Sequence, residues 1–378
     1  MSNSSGIPQA ADVSIGDLLD CAKIQPGQDV LLLAHIDGLH GGDNLVDQQA
    51  IEWIREAIKL RRATASVLWI EEPDRPHRWR LPPIVKSAMK SADITIIHSF
   101  GITFEEIVEL KQFVYNEKIR LIRNVATTAS LLRTAWAQTP NKLVSAIRYQ
   151  AGLSITVGAN WLLSDLNGTY LEGKINPVYD PNHPWFTRYA INREEGGGYI
   201  PWPEWVVVPI RLANTNGIFV FDRMLSWWSR YIGIPPYFNK PIRLNVENGR
   251  ITGFAGGEEA EALKKFLASM QERLGERVYD FNCLHFGVHP QAIVSPQECP
   301  NVLYRRMIEH CHSSNLHVHI GAPSPTQDYP YWMHCIGDIR QPTFKVGDTL
   351  VYDRGHLSAL EDPVVKAVAA EFPGRPGT

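Results

Sequence analysis

The sequence predicts an α/β N-terminal domain with a parallel sheet, followed by an α+β domain rich in antiparallel strands that carries a metal site. Three observations lead there. Strand and helix signals alternate over roughly the first 145 residues, a pattern that closes into a parallel sheet with right-handed crossovers. From about Ala151 short strand-like runs follow one another with Gly, Asn and Pro between them, as in antiparallel sheets. Eight of the thirteen histidines, His285, His289, His310, His312, His317, His319, His334 and His356, fall near the end of the chain, mostly in short apolar segments.

At 378 residues the chain exceeds what one hydrophobic core usually organises, so two domains are expected, 1–148 and 149–378. In the first, the turn Pro26-Gly-Gln-Asp29 leads into a strand at Val30-Leu-Leu-Leu-Ala34, and apolar residues at helical spacing predict a helix from Val46 to about Lys59. Ser66–Ile70 and Ile94–Ile97 are the next strands. The loop Gly38-Leu-His-Gly-Gly-Asp43 matches neither GxGxxG nor the Walker A pattern, which argues against nucleotide binding there. In the second, strands are expected at Leu153–Val157, Trp205–Pro209, Gly217–Phe221, Ile242–Val246, Arg250–Phe254 and Thr343–Val346, with a hairpin turn at Asn248-Gly249. Glu258–Leu274 reads as an amphipathic helix with Ala262, Leu263, Phe266, Leu267 and Met270 on one face, and another helix begins at Val302.

Composition narrows the class. Hydrophobic residues make up 44% and charged residues 20%, the formal net charge is −3, and no like-charge block is long enough to hold a polyanion, so nucleic acid is not an expected partner. The segment Met1-Ser-Asn-Ser-Ser-Gly-Ile-Pro8 lacks a basic region followed by an apolar stretch. No apolar run approaches the ~20 residues that span a bilayer, so no membrane association and a cytoplasmic location are expected. The five cysteines are odd in number and form no CxxC pair, as reduced thiols would. Cys283 and Cys335 have apolar sequence neighbours and read as small buried hydrophobes. Eleven tryptophans, among them Trp185, Trp202, Trp205, Trp227 and Trp228, read as core and subunit-interface anchors, consistent with a homo-oligomer.

Imidazole is a common ligand of zinc, iron, copper and nickel, so histidines on neighbouring strands point to a metal site. Three segments carry the signal: Leu284-His-Phe-Gly-Val-His-Pro290, Leu316-His-Val-His-Ile-Gly321 and Trp332-Met-His-Cys-Ile-Gly-Asp338. His317 and His319 share one face of their strand, and either can supply an imidazole. Asp338 can join His334 only if the backbone bends at Gly337. His310 and His312, at a helix end, are explained by the helix dipole, and His35 and His40 by structural roles.

The stretch Lys240-Pro-Ile-Arg-Leu-Asn-Val-Glu-Asn-Gly-Arg-Ile-Thr-Gly-Phe-Ala-Gly-Gly-Glu-Glu-Ala-Glu-Ala-Leu263 resembles a signature of the aminopeptidase T superfamily, which also contains 2,5-dihydroxypyridine 5,6-dioxygenase. Pro26–Leu33 resembles its first strand, Leu153–Val157 the strand opening its second domain, and Pro203-Glu204-Trp-Val-Val-Val-Pro209 its glycine–glutamate motif with Pro203 in place of glycine. His285 followed by Phe-Gly and Pro-Gln-Ala is similar to the dioxygenase branch, whereas peptidases place a metal-bridging glutamate there. The dioxygenase His-x-Asp motif falls on His334-Cys335-Ile336, where Ile336 cannot bind metal.

The resemblance therefore implies His285 and His334 as metal ligands; strand spacing offers His319 as the third, and Glu204 is the remaining candidate carboxylate, near the metal as base or ligand. His289, four residues after His285, is an acid–base or substrate-contact candidate if the backbone turns at Gly287. The resemblance implies a mononuclear Fe(II) centre, with Zn, Co or Mn as other divalent choices, acting with O2 on a hydroxylated N-heteroaromatic or related small aromatic molecule. Two alternatives stand beside this expectation: an aminopeptidase T-like metal-dependent aminopeptidase or amidohydrolase, and a non-catalytic ligand-binding homologue, which the loss of a ligand at Ile336 motivates.

Overall fold

The computed structural model describes residues 6–36, 46–71, 81–98, 110, 113–114, 116–176, 198–203, 210–224, 232–321 and 335–378. The N-terminal elements are α1 (Gln9–Cys21), β1 (Asp29–Ile36), α2 (Gln48–Leu60), β2 (Thr64–Glu71), α3 (Pro83–Ser91), β3 (Ile94–His98) and β4 (Arg120–Asn124). After them come α4 (Ala135–Gln138), α5 (Asn141–Leu153), β5 (Asn160–Ser164), β6 (Tyr170–Lys174), β7 (Gly198–Trp202), β8 (Ile210–Arg211), β9 (Asn216–Arg223), β10 (Tyr237–Glu247), β11 (Arg250–Ala255) and α6 (Glu258–Leu274). The chain continues through β12 (Phe281–Phe286), α7 (Val302–Glu309), β13 (Asn315–Ile320), β14 (Cys335–Arg340), β15 (Thr343–Val346), β16 (Thr349–Asp353), β17 (His356–Leu357) and α8 (Pro363–Ala370).

The first sheet is parallel, in the order β2-β1-β3-β4-β7. Its central strands are apolar on both faces because both are covered. On β1, Val30, Leu32 and Ala34 pack with α1 and α2, while Leu31 and Leu33 pack with Val85 and Met89 of α3. Asp47 caps α2, its carboxylate accepting from the Ala50 and Ala129 N–H groups at 2.6 and 2.8 Å, so the helix starts at Gln48. The fifth strand, β7, comes from beyond the expected boundary at 148/149, and that boundary falls inside α5.

The other two sheets are antiparallel. One runs β11-β10-β9-β6-β5-β15-β16-β17 and the other β14-β13-β12-β8. Asn248 and Gly249, with φ of 48° and 72°, form the tight turn expected between β10 and β11, and α6 spans the predicted residues. Leu153–Val157 is not a strand. The apolar stripe Leu143, Val144, Ile147 and Ala151 carries α5 through Leu153, which is 61% exposed at the helix end, and in the turn that follows Val157 is 62% exposed. Gly158, at φ +83°, reverses the chain before β5 begins at Asn160. Trp205–Pro209 lies outside the described residues.

Among the described residues the larger of two core clusters runs through both halves. Across the junction the Trp202 indole N–H donates to Asp17 at 2.8 Å, and the buried Tyr304 hydroxyl of α7 donates to the Val125 carbonyl. The four-stranded sheet lies against the eight-stranded one. Phe281 meets Phe219 edge-on at 5.5 Å between ring centroids, and Phe286 meets Tyr352 at 5.8 Å. Gly337 lets β14 approach: a Cβ there would sit 2.7 Å from the Phe221 ring and 2.9 Å from Phe219.

Candidate metal centre

Pairing between strands assembles the histidines. In an antiparallel ladder directly opposed residues project to the same face, and so do residues two apart on one strand. Cys283 opposes His319, His285 opposes His317, and across the next ladder His319 opposes Ile336 and His317 opposes Asp338. Arg211 of β8 opposes Cys283 on the outer side. One face of the sheet therefore carries Arg211, Cys283, His285, His317, His319, Ile336 and Asp338.

The imidazoles are stacked. The His285 ring lies 4.2 Å from His319 and 5.1 Å from His317, with interplanar angles of 17° and 8°. Cys283 Sγ is 3.3 Å from His285 Nε2. Among the described residues one group has donor atoms placed to hold a metal ion: Cys283, His285 and His319, all buried, each offering a ligand atom within 4.8 Å of the others. Two of the three histidines expected as ligands, His285 and His319, are thus brought together. His334 and Glu204 lie outside the described residues. Cys283 was legible only as a small apolar residue, although its two-residue spacing from His285 repeats that of His317 and His319. Burial pushes its thiol up to about 12, with the Arg211 charge opposing.

Asp338 is otherwise engaged. Strand β14 runs on through Gly337 in register with Val318, and the Asp338 carboxylate accepts from the fully buried Arg306 guanidinium of α7. Arg306 also reaches Glu309 at 2.9 Å, and the two carboxylates hold its charge in place against burial, keeping its pKa above the ordinary value. Its guanidinium lies 5.3 Å from the centre of the Tyr237 ring. Because Asp338 sits opposite His317, this ion pair fixes the edge of the imidazole face.

His289 stands apart from the metal-capable group. Gly287 passes so close to the 311–312 backbone that a Cβ would fall 2.2 Å from the His312 carbonyl oxygen, and the chain then pairs His289 alongside His312. The His289 ring is fully buried, 6.4 Å from Trp136 of α4, and its Nδ1 accepts from the Gln291 N–H at 3.2 Å. Burial, helped by nearby His312, lowers its pKa to about 3 and keeps it neutral. His310 ends α7. Its Nδ1 donates to the Met307 carbonyl, its ring meets His317 edge-on at 4.8 Å, and burial followed by the Arg306 charge lowers its pKa to about 3. The helix-end location holds, but the ring is neutral rather than a cation answering the helix dipole.

No family model matches the sequence, and no curated protein does. The fold has relatives among solved structures. It is similar to the 2,5-dihydroxypyridine dioxygenase of Pseudomonas putida KT2440, at a TM-score of 0.63 and 16% identity over 92% of this chain and 96% of that one. It is similar also to AmpT of Thermus thermophilus, at 0.52 and 10% over 92% and 98%. The chain thus shares its fold with these two proteins, and among the described residues no helix is long and apolar enough to cross a membrane.

Proposed function

We propose that this chain is a metal-dependent oxidoreductase, a mononuclear non-heme iron(II) dioxygenase that opens a hydroxylated N-heteroaromatic or related aromatic ring. The observation that carries the proposal is the buried cluster of donor atoms on β12 and β13, within a fold that superposes on a dihydroxypyridine dioxygenase along nearly its whole length. His285 and His319 are the ligands we assign from that cluster, with His334 and Glu204 as further candidates from the motif resemblance. A bound Fe(II) with open positions would supply redox chemistry between an aromatic substrate and O2.

The chain's own residues set the conditions. Packing encloses the donor face: Cys283, His285 and His319 are at most 8% exposed, and a site of that kind restricts water. A general base needs a free lone pair, and the His289 Nδ1 lone pair is occupied by the Gln291 N–H, so this reading assigns proton removal to Glu204. The likeness to AmpT supports a second reading, metal-dependent hydrolysis of an amide. A dinuclear hydrolytic centre needs anionic bridges between its two dications, and Asp338, the carboxylate on the donor face among the described residues, is held by Arg306.

Metal analysis of protein purified without added metal, followed by oxygen uptake from Fe(II)-loaded protein across a panel of hydroxylated pyridines, tests the proposal. About one iron per chain and substrate-dependent uptake are expected. Two zinc or cobalt ions per chain, with hydrolysis of aminoacyl-arylamides and no uptake, would replace it with the hydrolase. Metal-free protein that binds the aromatic panel unchanged would identify a non-catalytic binder.

A further inference from the structure

We infer that Cys283 is itself a metal ligand, so that the centre is a mixed thiolate–imidazole site with Cys283, His285 and His319 as donors. This rests on the metal-dependent reading above and goes beyond it in assigning the donor set and the class of metal it favours. The first support is distance. With metal–sulfur and metal–nitrogen bonds of about 2.3 and 2.05 Å, two donors on one ion lie about 3.6 Å apart in a tetrahedron and about 3.1 Å apart when adjacent in an octahedron. Cys283 Sγ and His285 Nε2 are 3.3 Å apart, between these values. All three donors fall within 4.8 Å of one another.

The second support is the face on which the sulfur lies. A cysteine serving only as a small hydrophobe belongs among apolar side chains. The apolar neighbours of Cys283 in sequence, Leu284 and its strand-mate Phe286, alternate to the opposite face and pack in the core. Cys283 instead shares its face with Arg211 on one side and His319 on the other. Cys335, the other cysteine beside a candidate ligand histidine, opposes Ile320 and so lies on the apolar face. The two thiols are thus distinguished by strand parity: Cys283 lies on the face that carries His285 and His319, and Cys335 on the apolar one.

A thiolate is a soft donor. Beside two imidazoles it favours zinc, iron, cobalt or copper over magnesium, calcium or manganese, which prefer oxygen. The full-length protein, stripped of metal and titrated with Co(II), reads the donor set directly, because thiolate ligation gives a charge-transfer absorption in the near ultraviolet that imidazole and carboxylate donors do not. Wild type should show this band at one cobalt per chain. Cys283→Ser should lose it and bind at least about tenfold more weakly, the size of loss seen when even a supporting residue of a metal site is removed.

Should Cys283→Ser fail to fold, four single replacements, Cys21→Ser, Cys299→Ser, Cys311→Ser and Cys335→Ser, identify the sulfur by elimination, and all should keep the band. Stoichiometric cobalt binding without the band in wild type, or loss of the band on replacing another cysteine, overturns the assignment of Cys283 and leaves the metal-dependent reading standing. No cobalt binding by wild type overturns both.

Discussion

The two faces of the sheet β14-β13-β12-β8 are built from alternate residues of the same strands, yet they hold together by different means. One face, with Leu284, Phe286, Val318, Gly337 and Ile339, is closed by packing against Phe219, Phe221 and Tyr352 of the eight-stranded sheet. The other carries Cys283, His285, His317, His319 and Asp338, all buried, and is held by ring stacking and one ion pair. Burying polar groups is costly unless each finds a partner, and here partners lie close at hand, ring against ring among the imidazoles and Arg306 against Asp338. The apolar face fixes strand positions, and those positions set the distances between donors on the other side.

The contrast can be broken most severely at Arg306. Arg306→Met leaves Asp338 buried without its ion-pair partner, and unfolding free energy from urea titration should fall by about 3–5 kcal/mol. The double variant Arg306→Met/Asp338→Leu should recover most of that loss. A single variant as stable as wild type would mean that the ion pair does not hold this edge of the donor face.

A smaller effect is expected on the apolar side. Gly337→Ala places a methyl group against the Phe219 and Phe221 rings, which are themselves stacked at 4.7 Å, and should cost about 1–3 kcal/mol of unfolding free energy. Because Gly337 lies between Ile336 and Asp338, its replacement should also weaken metal binding if the apolar face sets donor positions. Unchanged metal affinity in a destabilised Gly337→Ala protein would show the two faces to be independent.

His289 sharpens the comparison between the histidines of the donor face and one packed beside His312 and Trp136. Its folded pKa of about 3 lies below its ordinary value of 6.5, so between these values the unfolded chain binds the extra proton. Its contribution is complete above pH 6.5 and is lost as pH falls toward 3, with a slope of at most about 1.4 kcal/mol per pH unit. His289→Gln should therefore unfold with a shallower dependence on pH in that window. Parallel stability–pH curves for the two proteins would place the His289 titration elsewhere.

The smallest effect concerns Ile336, which opposes His319 on the donor face. If Cys283, His285 and His319 supply the donors, Ile336→Asp should not tighten metal binding, as measured by the Fe(II) dissociation constant. Tighter binding in this variant, with no loss in His319→Ala, would show that the third ligand is missing from wild type and that an aspartate restores it.

The sequence by itself determined the periodic elements and their order. The apolar run Val30–Ala34, the stripe from Ala262 to Met270 and the Asn248-Gly249 turn became the strand, helix and hairpin they predict, because local geometry dictates such patterns. It failed at Leu153–Val157, where apolar composition alone does not distinguish a strand from a helix end followed by an exposed turn. It also gave no sign that Gly198–Trp202 would join the parallel sheet after a long excursion.

For the site, residue spacing was enough to place His317 and His319 on one face of a strand. Which residues meet them depends on register between strands far apart in the chain. A slip of one residue in the pairing of β12 with β13 would have set Leu284 rather than Cys283 and His285 beside the imidazoles. The turn of the backbone at Gly287, which carries His289 to Trp136, and the claim of Arg306 on Asp338 likewise arise from contacts between distant segments. Only the tertiary structure decided them, since strand pairing and burial select partners by position in space, whereas the sequence records only position along the chain.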